Sequence, residues 1–249
     1  MITKMSHSTL APRIASKVFD EISLGRLKPG ERIIEAKMAH QLGVSTGTFR
    51  EALQVLADCG LVTSKRATLV TRPTLRDALI LFAVQRSLEP LAAGEVCGRL
   101  TSEHTRKLQR HLDKMKQAMP KRDFTTFLRH DLDFHQRIWK MPQWNTLDRM
   151  FKLVMPPLFV FLHIWFAQRF SGNPSQAEET LKKRYEDHCK LLAVLKTGNP
   201  REAREMFGKV ILDYLQAIAS LGTKPPTTKN PEFDAGPEPP DQIPAMPAE

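Results

Sequence analysis

EAKMAHQLGVSTGTFREALQVLADCGLV, residues Glu35–Val62, carries the start and stop signals of two short helices joined by a tight turn. Gly43 stands where the first helix must end in a left-handed residue. Ser45 stands where its hydroxyl can cap the second helix. The apolar residues recur at spacings that give both helices an inner face; they are Ala39, Leu42, Val44, Ala52, Leu53 and Leu56. The pattern predicts a helix-turn-helix, the unit that places its second helix in the major groove of DNA.

The segments on either side complete a winged helix-turn-helix. Residues 11–24 have an apolar face at helical spacing and predict a preceding helix. Residues 61–64 and 68–71 carry β-branched side chains and flank Lys65 and Arg66. This arrangement predicts a two-stranded wing with a basic tip.

The next part of the chain has a helical pattern. Periodicity of the helical kind runs from residue 75 to residue 221, with turn signals between segments and no strand signals. The predicted helices are 75–98, 102–119, 122–140, 144–152, 156–170, 175–197 and 200–221. Pro156 and Pro157 are expected in the first turn of the fifth, where a helix tolerates proline. The fold class predicted is mostly α, a winged helix-turn-helix followed by an antiparallel bundle of six or seven helices.

Three regions follow from these patterns. The winged helix-turn-helix is expected to span residues 1–73, and the helical domain residues 74–222. Residues 223–249 hold eight prolines in 27 positions and few large apolar side chains. Such a composition cannot bury a core, so we expect a disordered tail.

The charge favours a polyanionic partner such as nucleic acid. The formal net charge is +10, and residues 1–77 alone hold twelve basic and seven acidic side chains. The three cysteines have neither disulfide nor metal spacing, which fits a reducing cytoplasm. The beginning of the chain lacks the apolar region of a signal peptide, and the most apolar run, 153–167, is too short to cross a bilayer. We expect a cytoplasmic protein that does not bind membranes.

Two sets of motifs resemble the GntR family of bacterial transcription regulators, in its FadR-like branch with an all-helical FCD domain. The N-terminal set consists of Gly25–Ile33, Met38-Ala39, Leu42–Ser45, Phe49–Leu53, Leu56 and Gly60–Val62. The C-terminal set consists of Arg86–Ala93, Asp131–His135, Asn145, His188 and Asn199–Ala203. Both follow the order and spacing of the family over about residues 11–221.

The resemblance implies a ligand-responsive, DNA-binding transcription regulator that acts as a repressor. Members of the family bind palindromic operators as homodimers, and they bind or release DNA when a small ligand, often an organic acid, enters the helical domain. The expected partners are therefore double-stranded DNA, a second copy of the chain and a small carboxylate effector. Residues 74–222 would be the ligand-binding and dimerisation domain.

Arg50 lies where the family reads a guanine, and a bidentate guanidinium contact with guanine is the commonest specific contact in the major groove. The alternative is a solvated arginine paired with an acidic side chain. Further DNA contacts are expected from the turn, the recognition helix and the wing tip, namely Ser45, Thr46, Thr48, Lys65 and Arg66.

Four positions depart from the family's DNA-reading pattern. Thr46 replaces an arginine, Thr48 a proline, Ala36 a basic residue and Ala67 a glycine. Fewer side chains can therefore hydrogen-bond to base edges, although the two threonines can still contact phosphate or a thymine methyl group. An alternative function keeps the fold, as a ligand-sensing dimer with weak or lost sequence-specific DNA binding.

Asp131 and His135 are one helical turn apart and project from the same face. In relatives this pair holds a divalent metal together with two later histidines. His188 supplies the third position, whereas the fourth falls at Val210, which has no donor atom. Three ligands with open positions suit zinc, nickel or manganese. The alternative is a metal-free pocket of hydrogen-bonded polar residues.

Arg86 lies where similar proteins hold the effector, and it could bind a carboxylate through paired hydrogen bonds. The alternative is an ion pair with Glu89. His163, among aromatic residues, is a second candidate for lining this cavity, and the interpretation we favour for it is a hydrogen-bonded core histidine.

Two catalytic interpretations are set aside. Gly43–Gly47 matches the pattern G-x-S-x-G, but that motif works only between a buried strand and a helix, and residues 36–42 have helical spacing. A metal-dependent enzyme built on Asp131, His135 and His188 lacks an evident general base or nucleophile nearby. We therefore expect no enzymatic activity.

Overall fold

A computed structural model describes residues 10–63, 67–170 and 173–222. Lys65 and Arg66 of the wing tip and the tail 223–249 lie outside the described residues. The fold is mostly α, as predicted. Its elements are α1 Leu10–Ser23, α2 Glu35–Leu42, α3 Thr46–Asp58, β1 Val62–Thr63, β2 Leu69–Val70, α4 Leu75–Val96, α5 Ser102–Ala118, α6 Phe124–Lys140, α7 Asn145–Arg169, α8 Pro174–Lys196 and α9 Pro200–Gly222.

The turn between α2 and α3 has the caps that the sequence predicts. Gly43 ends α2 in the left-handed region, with φ 67°. The side chain of Ser45 accepts a hydrogen bond of 3.1 Å from the backbone N–H of Thr48 and so caps α3. Phe49 and Ala52 are fully buried on the inner face of α3, which α1 also covers. The helix-turn-helix is therefore held by a conventional apolar interior.

The wing is a short antiparallel ribbon. Val62 pairs with Val70 and Thr63 with Leu69. On the other edge of β2, Arg32 forms an isolated bridge with Leu69, so the segment before α2 is tied to the wing. These contacts fix the start of α2 relative to the ribbon.

Among the described residues, six helices follow the wing, in agreement with the predicted bundle. Helix α4 packs mainly against α9, α5 against α6, and α6 against α7, while α8 contacts α5 and α9. The largest fully buried side chains of this bundle are Trp139, Phe127, Phe134, Phe166 and Phe207. Helix α1 also contacts α7, so the two parts of the molecule share an interface.

The predicted break before Pro156 is wrong, because residues 145–169 form the single helix α7 with both prolines inside it. A proline inside a helix costs about 3 kcal/mol. The side chains around the prolines, including Val154, Leu158 and Phe159, are buried, and each contributes about 1.5–3 kcal/mol. Burial therefore outweighs the two prolines.

Contrary to the expectation from residues 153–167, helix α7 has a window that is long and apolar enough to cross a membrane by length and composition. Half of that window is buried inside the protein. The helix packs against α6, α4 and α1. It is therefore a core helix of the bundle.

Candidate functional site

The first turn of α3 is the exposed surface of the helix-turn-helix. Ser45, Thr46 and Arg50 are exposed, whereas Phe49 between them is buried. The hydroxyl of Thr48 lies 2.9 Å from that of Ser45, so these two side chains are engaged with each other at the cap. Thr46 and Arg50 are left facing outward.

Arg50 is paired with an acid across the two helices. Its Nε lies 2.6 Å from Oε2 of Glu35, at the start of α2. Thr68, beside the wing, donates to the other oxygen of Glu35 at 3.0 Å. The hydrogen bond from Arg50 is the main reason that the pKa of Glu35 is lowered. Because the arginine side chain is 71% exposed, this pair is worth about 1 kcal/mol or less and can be exchanged for another partner.

A buried polar cluster lies between α6 and α8. The structure brings Asp131 and His135 of α6 together with His188 of α8, and all three are buried. Oδ1 of Asp131 lies 2.5 Å from Nε2 of His188 and 3.3 Å from Nε2 of His135. The two Nε2 atoms are 3.2 Å apart. Three potential ligand atoms, from the residues that the family resemblance named, therefore converge on one point.

Each histidine is oriented by a polar group behind it. Nδ1 of His188 donates to the backbone carbonyl of Arg184 at 2.7 Å, and Nδ1 of His135 faces the carboxylate of Glu89. Gln85 donates to the second oxygen of Glu89 at 2.7 Å. Metal-binding histidines commonly have such partners on the second nitrogen, which fix the ring and direct Nε2 inward.

Opposite charges in the cluster favour the ionised forms of Asp131 and His135. Burial alone would raise the pKa of Asp131, but the nearby Arg184 and His188 outweigh burial and hold that pKa well below its usual range. Burial would likewise lower the pKa of His135, but Glu89 and Asp131 raise it to about 9. In the metal-free protein, His135 is therefore protonated at neutral pH.

Arg184 is a member of the cluster that the sequence did not predict. Its Nε and Nη2 lie 2.9 and 2.5 Å from Oδ2 of Asp131, and its side chain is buried. The guanidinium carbon lies 3.9 Å from the ring centre of Tyr214 on α9. Val210, where the family resemblance implied a fourth ligand, lies one turn before Tyr214 and provides no donor atom.

The donor set fits a divalent ion with three protein ligands. Ligands at 2.0–2.1 Å from a tetrahedral ion lie about 3.3 Å apart, close to the two longer separations in the cluster. Oδ1 of Asp131 is buried and has no aligned hydrogen-bond donor among the described residues. In the metal-free protein the charge of protonated His135 faces this oxygen, and a divalent ion bound between the carboxylate and the two imidazoles would replace that charge. An open coordination position would remain where the fourth ligand is lacking.

A second group of potential ligands fits a metal less well. Nδ1 of His111 lies 3.2 Å from Nδ1 of His130, with Asp133 nearby. Nε of Arg137 donates to Nε2 of His111 at 2.8 Å. This bond places the ring proton of neutral His111 on Nδ1, so that atom has no free lone pair for a metal. Of these two groups, the Asp131 cluster has the more suitable donor atoms.

The structure does not bring the two expected effector residues into contact with this cluster. Arg86 lines a surface groove of about 580 Å³ between α4 and α9, together with Arg204 and Lys209. Its Nε is buried and without a hydrogen bond to the described residues, while Glu89 is occupied by Gln85 and His135. The other expected residue is His163 of α7, whose Nε2 lies 2.7 Å from the hydroxyl of Thr125.

Sequence reasoning missed Glu89 and Arg184 as parts of the cluster. Helix spacing places each of them beside a polar neighbour, but it does not show that either meets Asp131 or His135. Arg184 lies one turn before His188 on α8, and Gln85 lies one turn before Glu89 on α4, so each pair shares a helix face. Tyr214 carried no such signal, because its contact with Arg184 depends on how α9 crosses α8.

Comparisons of sequence agree with this architecture. The pattern of the FCD domain matches residues 80–212, more than half of the chain, and that of the gntR family of bacterial regulatory proteins matches residues 10–68. The HTH-type transcriptional regulator McbR of Escherichia coli (strain K12) is 28% identical over 195 residues, 78% of this chain and 85% of McbR. A probable D-xylose utilization operon transcriptional repressor of Paenarthrobacter nicotinovorans is 26% identical over 153 residues, 58% of this chain and 67% of the relative.

Solved structures share the fold. E. coli McbR/YncC superimposes with a TM-score of 0.72 at 23% identity, over 89% of this chain and all of that one. A putative transcriptional regulator GntR from Rhodococcus sp. RHA1 gives 0.69 at 22% identity, over 84% and 97%. Both likenesses show the same fold. This chain therefore belongs to the gntR family of bacterial transcription regulators, with an FCD effector-binding domain following its winged helix-turn-helix.

Proposed function

We propose that this regulator is a cytoplasmic repressor that binds a palindromic operator as a homodimer, under the control of a small carboxylate effector. The observation that carries the proposal is the surface of α3, where Thr46 and Arg50 are exposed on a capped helix backed by buried Phe49. The net charge of +10 supports a DNA partner. Relatives named as regulators, one of them as a repressor, support the same role.

In this proposal Arg50 leaves Glu35 and binds a guanine, because a bidentate contact with O6 and N7 replaces a weak exposed pair. Ser45, Thr46 and Thr48 approach phosphates and thymine methyl groups from the first turn of α3. Lys65 and Arg66 contact the backbone from the wing. The effector acts by shifting the population of dimers whose two α3 helices match the spacing of the half-sites.

The test is selection of bound fragments from genomic DNA by the purified full chain. We expect enriched sites with two-fold symmetry and half-sites separated by about 10 base pairs or a multiple of that. Binding should weaken with rising salt, because phosphate contacts release counterions. Failure to enrich any fragment at low salt would contradict the proposal.

A ligand-sensing dimer without sequence-specific DNA binding is the second candidate. The pair between Arg50 and Glu35 favours it, since it occupies the arginine expected to read a base. Retention on heparin with no preference for a recovered fragment over random duplex would support this candidate. A clear preference for the recovered fragment would exclude it.

We also propose that the buried cluster holds a divalent metal, zinc, nickel or manganese, through Asp131 Oδ1, His135 Nε2 and His188 Nε2. The metal would supply positive charge inside the bundle and keep an open coordination position. Glu89 and the carbonyl of Arg184 hold the two rings, and Arg184 neutralises the second oxygen of Asp131.

Metal analysis of protein purified without chelator tests this site. We expect about one ion per chain in the wild type and none in His135→Ala, because removal of one of three ligands leaves too few donors. His40→Ala, which changes an exposed histidine on α2, is the matched control and should keep the ion. Equal metal content in the two variants would overturn the assignment.

For the effector we propose that Arg86 holds its carboxylate in the groove between α4 and α9, which Arg204, Lys209 and the acidic Glu205 also line. His163 is retained as a hydrogen-bonded core histidine, which its bond to Thr125 supports. A thermal-shift screen of small carboxylates should identify a ligand whose effect is lost in Arg86→Gln. A ligand that stabilises this variant as well as the wild type would contradict the role of Arg86.

A further inference from the structure

A small set of side chains joins the winged helix-turn-helix to the helical bundle. It consists of Phe19 and Asp20 of α1, Arg129 of α6 and Phe159 of α7, and we refer to it as the docking cluster. The rings of Phe19 and Phe159 are 5.5 Å apart between centres, and both residues are buried. Arg129 forms an ion pair with Asp20. The interface between the two domains thus has a defined centre.

Arg129 contacts every other member of the docking cluster. Its guanidinium carbon lies 5.1 Å from the ring centre of Phe19 and 5.6 Å from that of Phe159. A planar guanidinium can stack on aromatic rings and bind a carboxylate through its edge at the same time, which a lysine ammonium does less well. One side chain from the bundle therefore holds both the apolar and the charged part of α1.

Docking of α1 also positions the recognition helix. Helix α1 packs against α3 on the side opposite to the exposed residues Thr46 and Arg50. Helix α3 has Phe49, Ala52 and Leu53 buried in this interior. Because protein interiors are close-packed, α1 and α3 move as one body. The orientation of α3 relative to the bundle is then set by where α1 docks.

The same helix that carries Arg129 carries the buried polar cluster. Arg129 precedes Asp131 by two residues, which is about 3 Å along the axis of α6, and the two side chains project from nearly opposite sides. Asp131 faces α8, and Arg129 faces α1 and α7. If α6 moves in response to a change at Asp131, Arg129 moves with it, because no loop separates the two residues.

We propose that Arg129 is the positioning residue that docks the winged helix-turn-helix on the bundle, fixes the angle of α3 and transmits movements of α6 to it. The proposal rests on the proposed function, since an orientation of α3 matters only if α3 reads DNA. It assigns Arg129 no contact with DNA. Loss of the Arg129 side chain should therefore weaken binding only to an operator with two half-sites, which the two α3 helices of a dimer contact together.

The experiment compares Arg129→Met with Arg106→Met in the full chain. Both variants lose one positive charge, and Arg106 is an exposed arginine on α5, a helix that packs against α6 and α8. Fluorescence anisotropy gives the affinity for a recovered symmetric operator and for one isolated half-site. We expect Arg129→Met to bind the operator about tenfold more weakly than Arg106→Met, since preorganisation is lost, and to bind the half-site equally well.

The salt dependence separates positioning from direct DNA contact. The slope of log affinity against log salt should be the same in the two variants, because neither arginine neutralises a phosphate in this proposal. A smaller slope in Arg129→Met, or an equal loss of affinity for operator and half-site, would overturn the positioning role. Equal operator affinity in the two variants would also overturn it.

Hydrogen exchange gives a readout that needs no DNA. Arg129→Met and Asp20→Asn should both speed exchange of the α1 amides, and Arg106→Met should not, because only the first two weaken the docking cluster. If the wild type binds no operator but α1 exchanges as expected, the proposed function fails and the docking role stands. Unchanged exchange of α1 in both docking variants would contradict the docking role itself.

Discussion

Arg50 and Arg184 each form an ion pair with a carboxylate, but in opposite surroundings. The side chains of Arg50 and Glu35 are 71% and 27% exposed, whereas those of Arg184 and Asp131 are 8% and 5% exposed. Water competes for the first pair and is excluded from the second. The first pair is weak and open to exchange, and neither partner of the second can be removed without leaving a buried charge.

This difference corresponds to the two roles that we propose. A residue that must leave its partner to contact DNA can only be held by a pair of low strength. A residue that organises the interior of a ligand-binding bundle can be held strongly, since it never has to leave. We therefore expect substitutions at Arg184 to act on folding and substitutions at Arg50 to act on binding.

The largest effect is expected for Arg184→Met. The substitution leaves the carboxylate of Asp131 buried without its guanidinium partner, which should destabilise the protein by about 3–5 kcal/mol. Urea unfolding followed by circular dichroism measures the change. Arg201→Met breaks an exposed pair with Glu205 and should change stability by less than about 1 kcal/mol. A similar small loss of stability in both variants would contradict the expected difference between the buried pair and the exposed pair.

The buried cluster should also make stability depend on pH. The pKa of His135 in the folded, metal-free protein is about 9, above its ordinary value near 6.5. A raised pKa stabilises the fold fully below pH 6.5, and this contribution is lost as the pH rises through 9. The loss should approach about 3 kcal/mol over that range.

Urea unfolding of the metal-free protein at several pH values measures this contribution. In His135→Gln the decline between pH 6.5 and pH 9 should be absent, whatever the overall stability of the variant. A decline of the same size in the variant would assign it to another group.

At the exposed pair, Arg50→Ala should weaken DNA binding and leave stability nearly unchanged, the opposite of what we expect for Arg184→Met. We expect a loss of about 1–3 kcal/mol in operator affinity, with relaxed preference at one base pair in each half-site. The free energy of unfolding should change by less than about 1 kcal/mol. Anisotropy titrations and urea unfolding measure the two quantities on the same preparation, and an unchanged operator affinity would refute the role of Arg50.

The smallest effect is expected at the turn that presents Arg50. Ser45→Ala removes the acceptor for the N–H of Thr48 and should cost about 1 kcal/mol of stability. Ser87→Ala changes an exposed serine on α4 and should be nearly neutral. Thermal unfolding of both variants would show whether the cap contributes as expected, and equal melting temperatures would count against it.

Local signals made the helix-turn-helix predictable. Gly43 and Ser45 act within four residues of themselves, so the ends of α2 and α3 follow from the sequence alone. Asp131 and His135 share a helix face for the same reason. The prolines of α7 misled the prediction, because the burial that overrides them comes from other helices.

Contacts between distant segments were not predictable from one sequence. Glu35 and Arg50 are fifteen residues apart and meet only after α2 packs on α3. Arg184 reaches Asp131 across 53 positions, from a different helix. The sequence showed which residue types carry charge, but tertiary packing decided which of them are buried together.

Substitution of single guanines in a recovered operator by 7-deazaguanine tests most directly whether Arg50 leaves Glu35 to read a base. The substitution removes only the N7 acceptor in the major groove. We predict that at one guanine per half-site it weakens binding of the wild type and leaves the affinity of Arg50→Ala unchanged. Equal loss in both proteins at every guanine would contradict the account.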